Sequence, residues 1–293
     1  MQSAKECCGC PAHSSRRRAH VAAGDETDVP AFGNPGCGPE SNAVAGRVFF
    51  ADKGKHYADY AKQIDFTKMT HLNLAFGVPP KCDGICTASS DMVFSIQGQS
   101  DADIAAIVAA AHAAGVKAVL SIGGGGGDQR IIQFYNAELS AELVKSLDKF
   151  VAAHGFDGVD LDIEDPSNMG APFGAFVNAL AATFHPEGKI VTAAVAKYLQ
   201  SSMPDAALHQ FDFINVMIYS SYESAVSALR FYSIDEKVPR DKIVLGAPFF
   251  VSTPDDSKEE SYQTILAAYP NAWKVDLAGG WSARRWSGVQ LYR

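Results

Sequence analysis

Gly155-Phe156-Asp157-Gly158-Val159-Asp160-Leu161-Asp162-Ile163-Glu164-Asp165-Pro166 sets five carboxylates within nine residues. On a strand, successive side chains point to opposite faces. Asp160, Asp162 and Glu164 therefore share one face, and Val159, Leu161 and Ile163 share the other. Three acids on one strand face repel one another and lose hydration, so at least one is expected to keep its proton near neutral pH and to be able to donate it. A solvated edge strand with scattered charge is the plainer alternative. Strict alternation of the acids with Val, Leu and Ile argues against it, because carboxylates perturbed in an apolar setting mark functional sites.

Working outward, the same stretch proves to be one strand in a regular alternation. Strands are expected at Arg47–Phe50, Thr70–Phe76, Lys117–Ser121, the acidic stretch itself, Lys189–Ala196, Phe211–Ser220 and Lys242–Phe250. Helical stripes lie between them. Ile104, Ile107, Val108 and Ala111 repeat at helical spacing behind a Ser100 cap and before Gly115, and Leu143, Val144, Leu147, Phe150 and Val151 do so behind a Ser140 cap and before Gly155. Phe173, Phe176, Val177, Leu180 and Phe184 make a third stripe, stopped by Pro186 and Gly188. Strand and helix alternating seven times is the pattern of a parallel βα barrel, and the span from Gly46 onward approaches the roughly 250 residues such a barrel occupies.

The motif Asp157, Gly158, Asp160, Asp162, Glu164 resembles the Asp-Gly-x-Asp-x-Asp-x-Glu signature of glycoside hydrolase family 18, the chitinases and their relatives. Other stretches resemble the family as well. Ser121, Gly123 and Gly124 match a Ser-x-Gly-Gly element on the third strand. Asn215, Met217 and Tyr219 overlay a Gln-x-Met-x-Tyr-Asp element on the sixth, with Ser220 in place of the Asp. Gly246, Ala247, Pro248, Phe249 and Phe250 are similar to a Gly-x-Pro-Phe-Tyr element on the seventh, with no hydroxyl at Phe250.

The resemblance implies an α/β fold, a (β/α)8 TIM barrel, and a retaining, substrate-assisted mechanism on chitin or N-acetylglucosamine oligosaccharides. In it Glu164 is the acid/base. Asp162 holds the acetamido group and shares a proton with Asp160, and Tyr219 hydrogen-bonds the acetamido oxygen. Asn215, Met217, Phe50 and Gly124 are expected to line the substrate, while Asp157, Ser121 and Gly123 are structural members of the motif. Aromatics such as Tyr198, Tyr222 and Phe249 are further candidates for stacking on sugars. A non-catalytic carbohydrate-binding barrel is the alternative from another functional class, and an endo-β-N-acetylglucosaminidase acting on N-glycans shares the same acids. Secretion is also implied, although residues 1 to 20 contain no apolar signal-peptide core.

The C-terminal end fits less well. From Ala278 to Arg293 only Val289-Gln290-Leu291-Tyr292 looks like a strand, so the eighth strand is expected to be truncated or altered, with Trp281 and Trp286 read as tail residues. About ten residues separate Phe250 from a helix near Ser261 to Tyr269. That short span predicts no inserted α+β domain and hence an open, shallow groove.

Composition narrows the remaining classes. Residues 1 to 44 are rich in Gly, Pro, Ser, Ala and charge without periodicity, so they are expected to form a disordered tail or linker, with residues 45 to 293 as the catalytic barrel. A net charge of -8 argues against a nucleic-acid surface. No apolar run is long enough to span a membrane, and a monomer is expected. The run Gly123 to Gly127 lacks the Lys-Ser/Thr or spaced glycines of a phosphate cradle, and no cofactor is expected. Cys7, Cys10 and His13 have no second ligand pair at zinc-finger spacing, so no metal is expected. Cys82 and Cys86 flank a turn and fit either a small disulfide or two thiols.

Overall fold

The computed structural model describes residues 46–49, 54–80, 93–124, 128–196, 199, 202–219, 222–246, 250–252, 259–271, 277–278 and 281–282. Strand β1 (Gly46–Phe49) leads through the short helix α1 (Tyr57–Tyr60) to β2 (His71–Val78). A two-residue strand, β3 (Ser95–Ile96), folds back antiparallel on the end of β2. There follow α2 (Asp101–Ala113), β4 (Lys117–Gly123), α3 (Asp128–Asn136), α4 (Ser140–His154), β5 (Gly158–Asp162) and α5 (Ala171–Phe184). Next come β6 (Ile190–Ala196), α6 (Asp205–Leu208), β7 (Phe213–Met217), α7 (Tyr222–Arg230) and β8 (Ile243–Gly246). Strands β1, β2, β4, β5, β6, β7 and β8 lie side by side in chain order, each parallel to the next.

Local sequence explains these boundaries. Ser100 and Asp103 form a reciprocal capping box at the start of α2, each side chain accepting the other residue's backbone N–H at 3.2 and 3.0 Å. Gly155 ends α4 in the left-handed conformation, with φ of 71°. Ser140 differs from the sequence expectation: it is the first helical residue of α4, and the cap position belongs to Leu139, which makes no side-chain cap bond.

The apolar stripes face inward as their periodicity requires. Phe173, Phe176, Val177, Leu180 and Phe184 of α5 are buried with Val159, Leu161 and Ile163 of the acidic stretch in one core cluster. Each such side chain contributes about 1.5–3 kcal/mol by leaving water. The strands thus turn one face to the helices, leaving the alternate residues for the barrel interior.

After β8 the chain departs from expectation. Strands β9 (Phe250–Ser252), β10 (Glu259–Ser261), β11 (Leu277–Ala278) and β12 (Trp281–Ser282), with helix α8 (Tyr262–Ala268), form a second, antiparallel sheet in the order β10-β9-β12-β11. This small sheet was not foreseen from the sequence; it belongs to the same compact unit as the barrel, residues 43–293, and the short span after Phe250 holds only the β9–β10 pair. Strands of two or three residues joined antiparallel need only short connections. Trp281 belongs to β12 rather than to a tail. Residues 283–293, which hold the strand-like Val289–Tyr292, lie outside the described residues, as do residues 1–45 and all six cysteines.

Candidate active site

The register across the parallel sheet sets one polar layer inside it. Ser121 of β4 pairs with Asp160 of β5, and Asp160 with Thr192 of β6. Asp160 is fully buried. Its Oδ2 accepts the Ser121 hydroxyl at 2.9 Å, and its Oδ1 accepts the Thr192 hydroxyl at 2.5 Å and the Asn215 amide at 3.3 Å. The side chain of Asn73 on β2 supplies a fourth hydrogen bond. Four strands thus converge on one carboxyl group.

Burial pushes the Asp160 carboxyl above the usual carboxylate range, while the bonds from Thr192, Ser121, Asn73 and Asn215 pull the other way. A perturbed acid on this strand face is thus found at Asp160, and of the two expected causes it is lost hydration that leads, rather than repulsion between neighbouring acids. Asn73 and Thr192 were not singled out from the sequence. Their signal was a lone polar side chain inside an apolar strand, Leu72-Asn73-Leu74 and Val191-Thr192-Ala193, since a buried polar group requires a partner.

Asp162 ends β5 and is nearly buried; Glu164 lies two residues past the strand and is half-buried. Tyr219 stands two residues beyond the end of β7 and is 44% exposed. Its hydroxyl is raised above its ordinary value by burial, then by the negative charges of Asp162 and of Glu164. One phenol and two carboxylates from two strands therefore share one field at the C-terminal ends of the strands, where barrel chemistry resides. Asn215 and Met217 precede Tyr219 on the same face of β7, both partly buried.

Two glycines bring the next strand close. A Cβ on Gly123 would stand 2.4 Å from the Asp162 carbonyl oxygen, and one on Gly124 2.0 Å from the Phe76 ring; their φ angles are 108° and 75°. The Gly124 N–H donates to the Asp162 carbonyl at 2.8 Å. Close approach, not phosphate binding, accounts for the start of this glycine run. Asp157 lies at the opposite, N-terminal foot of β5, where its carboxylate accepts the Ala118 N–H at 2.7 Å and a bond from the His112 ring at 2.8 Å. Phe50, Tyr198, Ser220 and Phe249 fall outside the described residues. Among the described residues no group of three or more His, Cys, Asp or Glu could hold a metal ion.

A family model described as glycosyl hydrolases family 18 matches residues 47–286. The chain belongs to this family. Among curated relatives, a chitinase-like effector of Moniliophthora perniciosa is 34% identical over 119 residues, covering 40% of this chain and 25% of that protein. A chitinase-like effector of Moniliophthora roreri is 27% identical over 259 residues, covering 71% of this chain and 60% of that protein. The chain thus matches less than two thirds of the length of either relative. Among solved structures, the family 18 chitinase ChiB of Flavobacterium johnsoniae is similar at 24% identity and a TM-score of 0.65, covering 83% of this chain and 80% of that one. A chitinase of Bacteroides thetaiotaomicron reaches a TM-score of 0.69 at 22% identity, covering 83% and 81%. At these identities the likeness concerns the fold, a (β/α)8 TIM barrel, of which seven parallel strands lie among the described residues of this family member.

Proposed function

We propose that this family 18 chain is a retaining glycoside hydrolase that cleaves β-1,4-linked N-acetylglucosamine polymers with assistance from the substrate. The observation that carries the reading is the grouping of Tyr219 with Asp162 and Glu164 at the strand ends, beside a buried and donor-filled Asp160. Glu164 gives its proton to the glycosidic oxygen as the acetamido carbonyl oxygen of the same sugar attacks the anomeric carbon. The glycosidic C–O bond breaks, the leaving sugar departs as an alcohol, and a cyclic oxazolinium ion remains. Glu164, now a carboxylate, takes a proton from water, whose oxygen attacks the anomeric carbon and opens the ring with retention. Asp162 receives the acetamido N–H, and Tyr219 donates to the acetamido oxygen. We further propose that the catalytic region is residues 45–293, a division supported by the start of the family match at residue 47.

A second reading, a barrel that binds such sugars without turning them over, draws support from the chitinase-like effector names of the relatives. Glu164→Gln separates the two, since the amide keeps the shape of the acid and loses its proton. Release of a chromophore from a chito-oligosaccharide is expected from the wild-type chain and to be lost in the variant, with oligosaccharide affinity kept within about twofold. Wild-type binding without turnover would establish the second reading, and unchanged turnover in Glu164→Gln would overturn the mechanism. N-glycan substrates assayed in parallel separate chitin from glycoprotein as the source of the sugar.

A further inference from the structure

The last ladder residue of β5 is Asp162, so Glu164 stands on main chain that the parallel sheet no longer restrains. A proton donor needs its geometry held to within about 0.5 Å. Something beyond the sheet must therefore hold it, and the residue immediately following has the contacts to do so. Asp165 Oδ1 accepts the Ser167 N–H at 3.0 Å and the Ser167 hydroxyl at 2.5 Å. Its Oδ2 accepts the Asn168 amide at 2.9 Å and the Gln129 amide at 3.2 Å. The first pair caps a single 3-10 turn over Pro166–Asn168.

The turn is itself anchored. The Tyr135 hydroxyl donates to the Asn168 carbonyl at 2.9 Å, and the Asn136 amide to Asn168 Oδ1 at 2.9 Å. Gln129, Tyr135 and Asn136 all belong to α3. Tyr135 is buried, stacked on Phe176 with ring centroids 5.7 Å apart and edge-on to Phe173 at 6.2 Å, both on α5. A continuous chain of contacts thus runs from two packed helices to the peptide bond that follows Glu164.

We infer that Asp165 is a positioning residue for Glu164: its carboxylate fixes the turn that leaves the acid and fastens that turn to α3 and, through Tyr135, to α5. The inference rests on the proposed function and names the residue that aims its proton donor. Charge suits the task. Bonds from Ser167 and then Asn168 hold the Asp165 carboxyl below the usual carboxylate range. Stability from such a group is present above the unfolded value near 3.9 and is lost only as pH falls through the lower folded value.

The test compares the wild type with Asp165→Ala and with the double variant Gln129→Ala/Asn168→Ala, which keeps the Asp165 charge but removes both donors to Oδ2. Steady-state hydrolysis of a chito-oligosaccharide and amide hydrogen exchange of residues 163–169 are both measured. Asp165→Ala is expected to lower kcat by about 10- to 100-fold with KM within about twofold, the signature of a misaimed group rather than lost binding. The double variant is expected to lower kcat less and to leave the pH profile in place, and in both variants exchange across 164–168 speeds up. Unchanged kcat, or unchanged exchange, in Asp165→Ala overturns the inference. If the wild type proves hydrolytically inert, the proposed function fails, and exchange alone judges the anchor: faster exchange upholds it and unaltered exchange removes it.

Discussion

Asp160 shows how a single residue balances two opposed effects. Removal from water favours its neutral form, and hydrogen bonds from Thr192, Ser121, Asn73 and Asn215 favour its ionised form, with the net direction upward. A folded value raised above the unfolded one means that the stability contributed by the protonated group is fully present below the unfolded value, near 3.9, and is lost as pH rises through the folded value. Asp160→Asn cannot titrate. The melting temperature of this variant relative to the wild type is therefore expected to improve as pH rises above about 4 and through the raised folded value, whatever fixed offset the amide introduces. A difference that stays flat across that range would contradict the assignment. Asp160 also illustrates what a sequence reveals at this scale: its acidity, spacing and apolar neighbours could be read, whereas Asn73 and Thr192 came from strands that are remote along the chain and adjacent only in register.

At the scale of single elements, β5 is shaped as much by its first residue as by its acids. A Cβ on Gly158 would stand 2.1 Å from the Ile190 carbonyl oxygen of β6, a backbone atom that cannot rotate away. Gly158→Ala is expected to destabilise the fold by about 1–3 kcal/mol through overpacking, read from a urea unfolding curve; an unshifted midpoint would mean that the two strands part at no cost. The feet of the strands repeat one arrangement. Asp157 accepts the Ala118 N–H and faces His112, and Asp212 accepts the Val191 N–H at 2.8 Å and meets His185 at 3.2 Å. In both cases the aspartate before one strand links the preceding strand to a histidine near the end of the helix before it. The Asp of the Asp-Gly-x-Asp-x-Asp-x-Glu motif thus performs at β5 what Asp212, outside any motif, performs at β7.

Over the whole molecule, one contiguous apolar cluster runs from Tyr57 to Val238 and includes residues from α2, α4 and α5 and from the strands between them. Such a core is expected to melt as a unit, so that near-ultraviolet and far-ultraviolet circular dichroism lose their signals at one temperature. Two separated transitions would show that the barrel breaks into independent parts. The sequence by itself determined the alternation of strand and helix, the sidedness of the acidic strand, the glycines of close approach and the family, because each of these is written in periodicity or in residues near one another along the chain. It did not reveal the small sheet after β8, where very short antiparallel strands leave too few residues for an alternation to be read. Only the tertiary structure decided which donors surround Asp160, which phenol stands in the field of Asp162 and Glu164, and that Asp165 is tied to α3. Those are contacts between residues about thirty to about ninety positions apart in sequence, and they are set by strand register and helix packing rather than by local pattern.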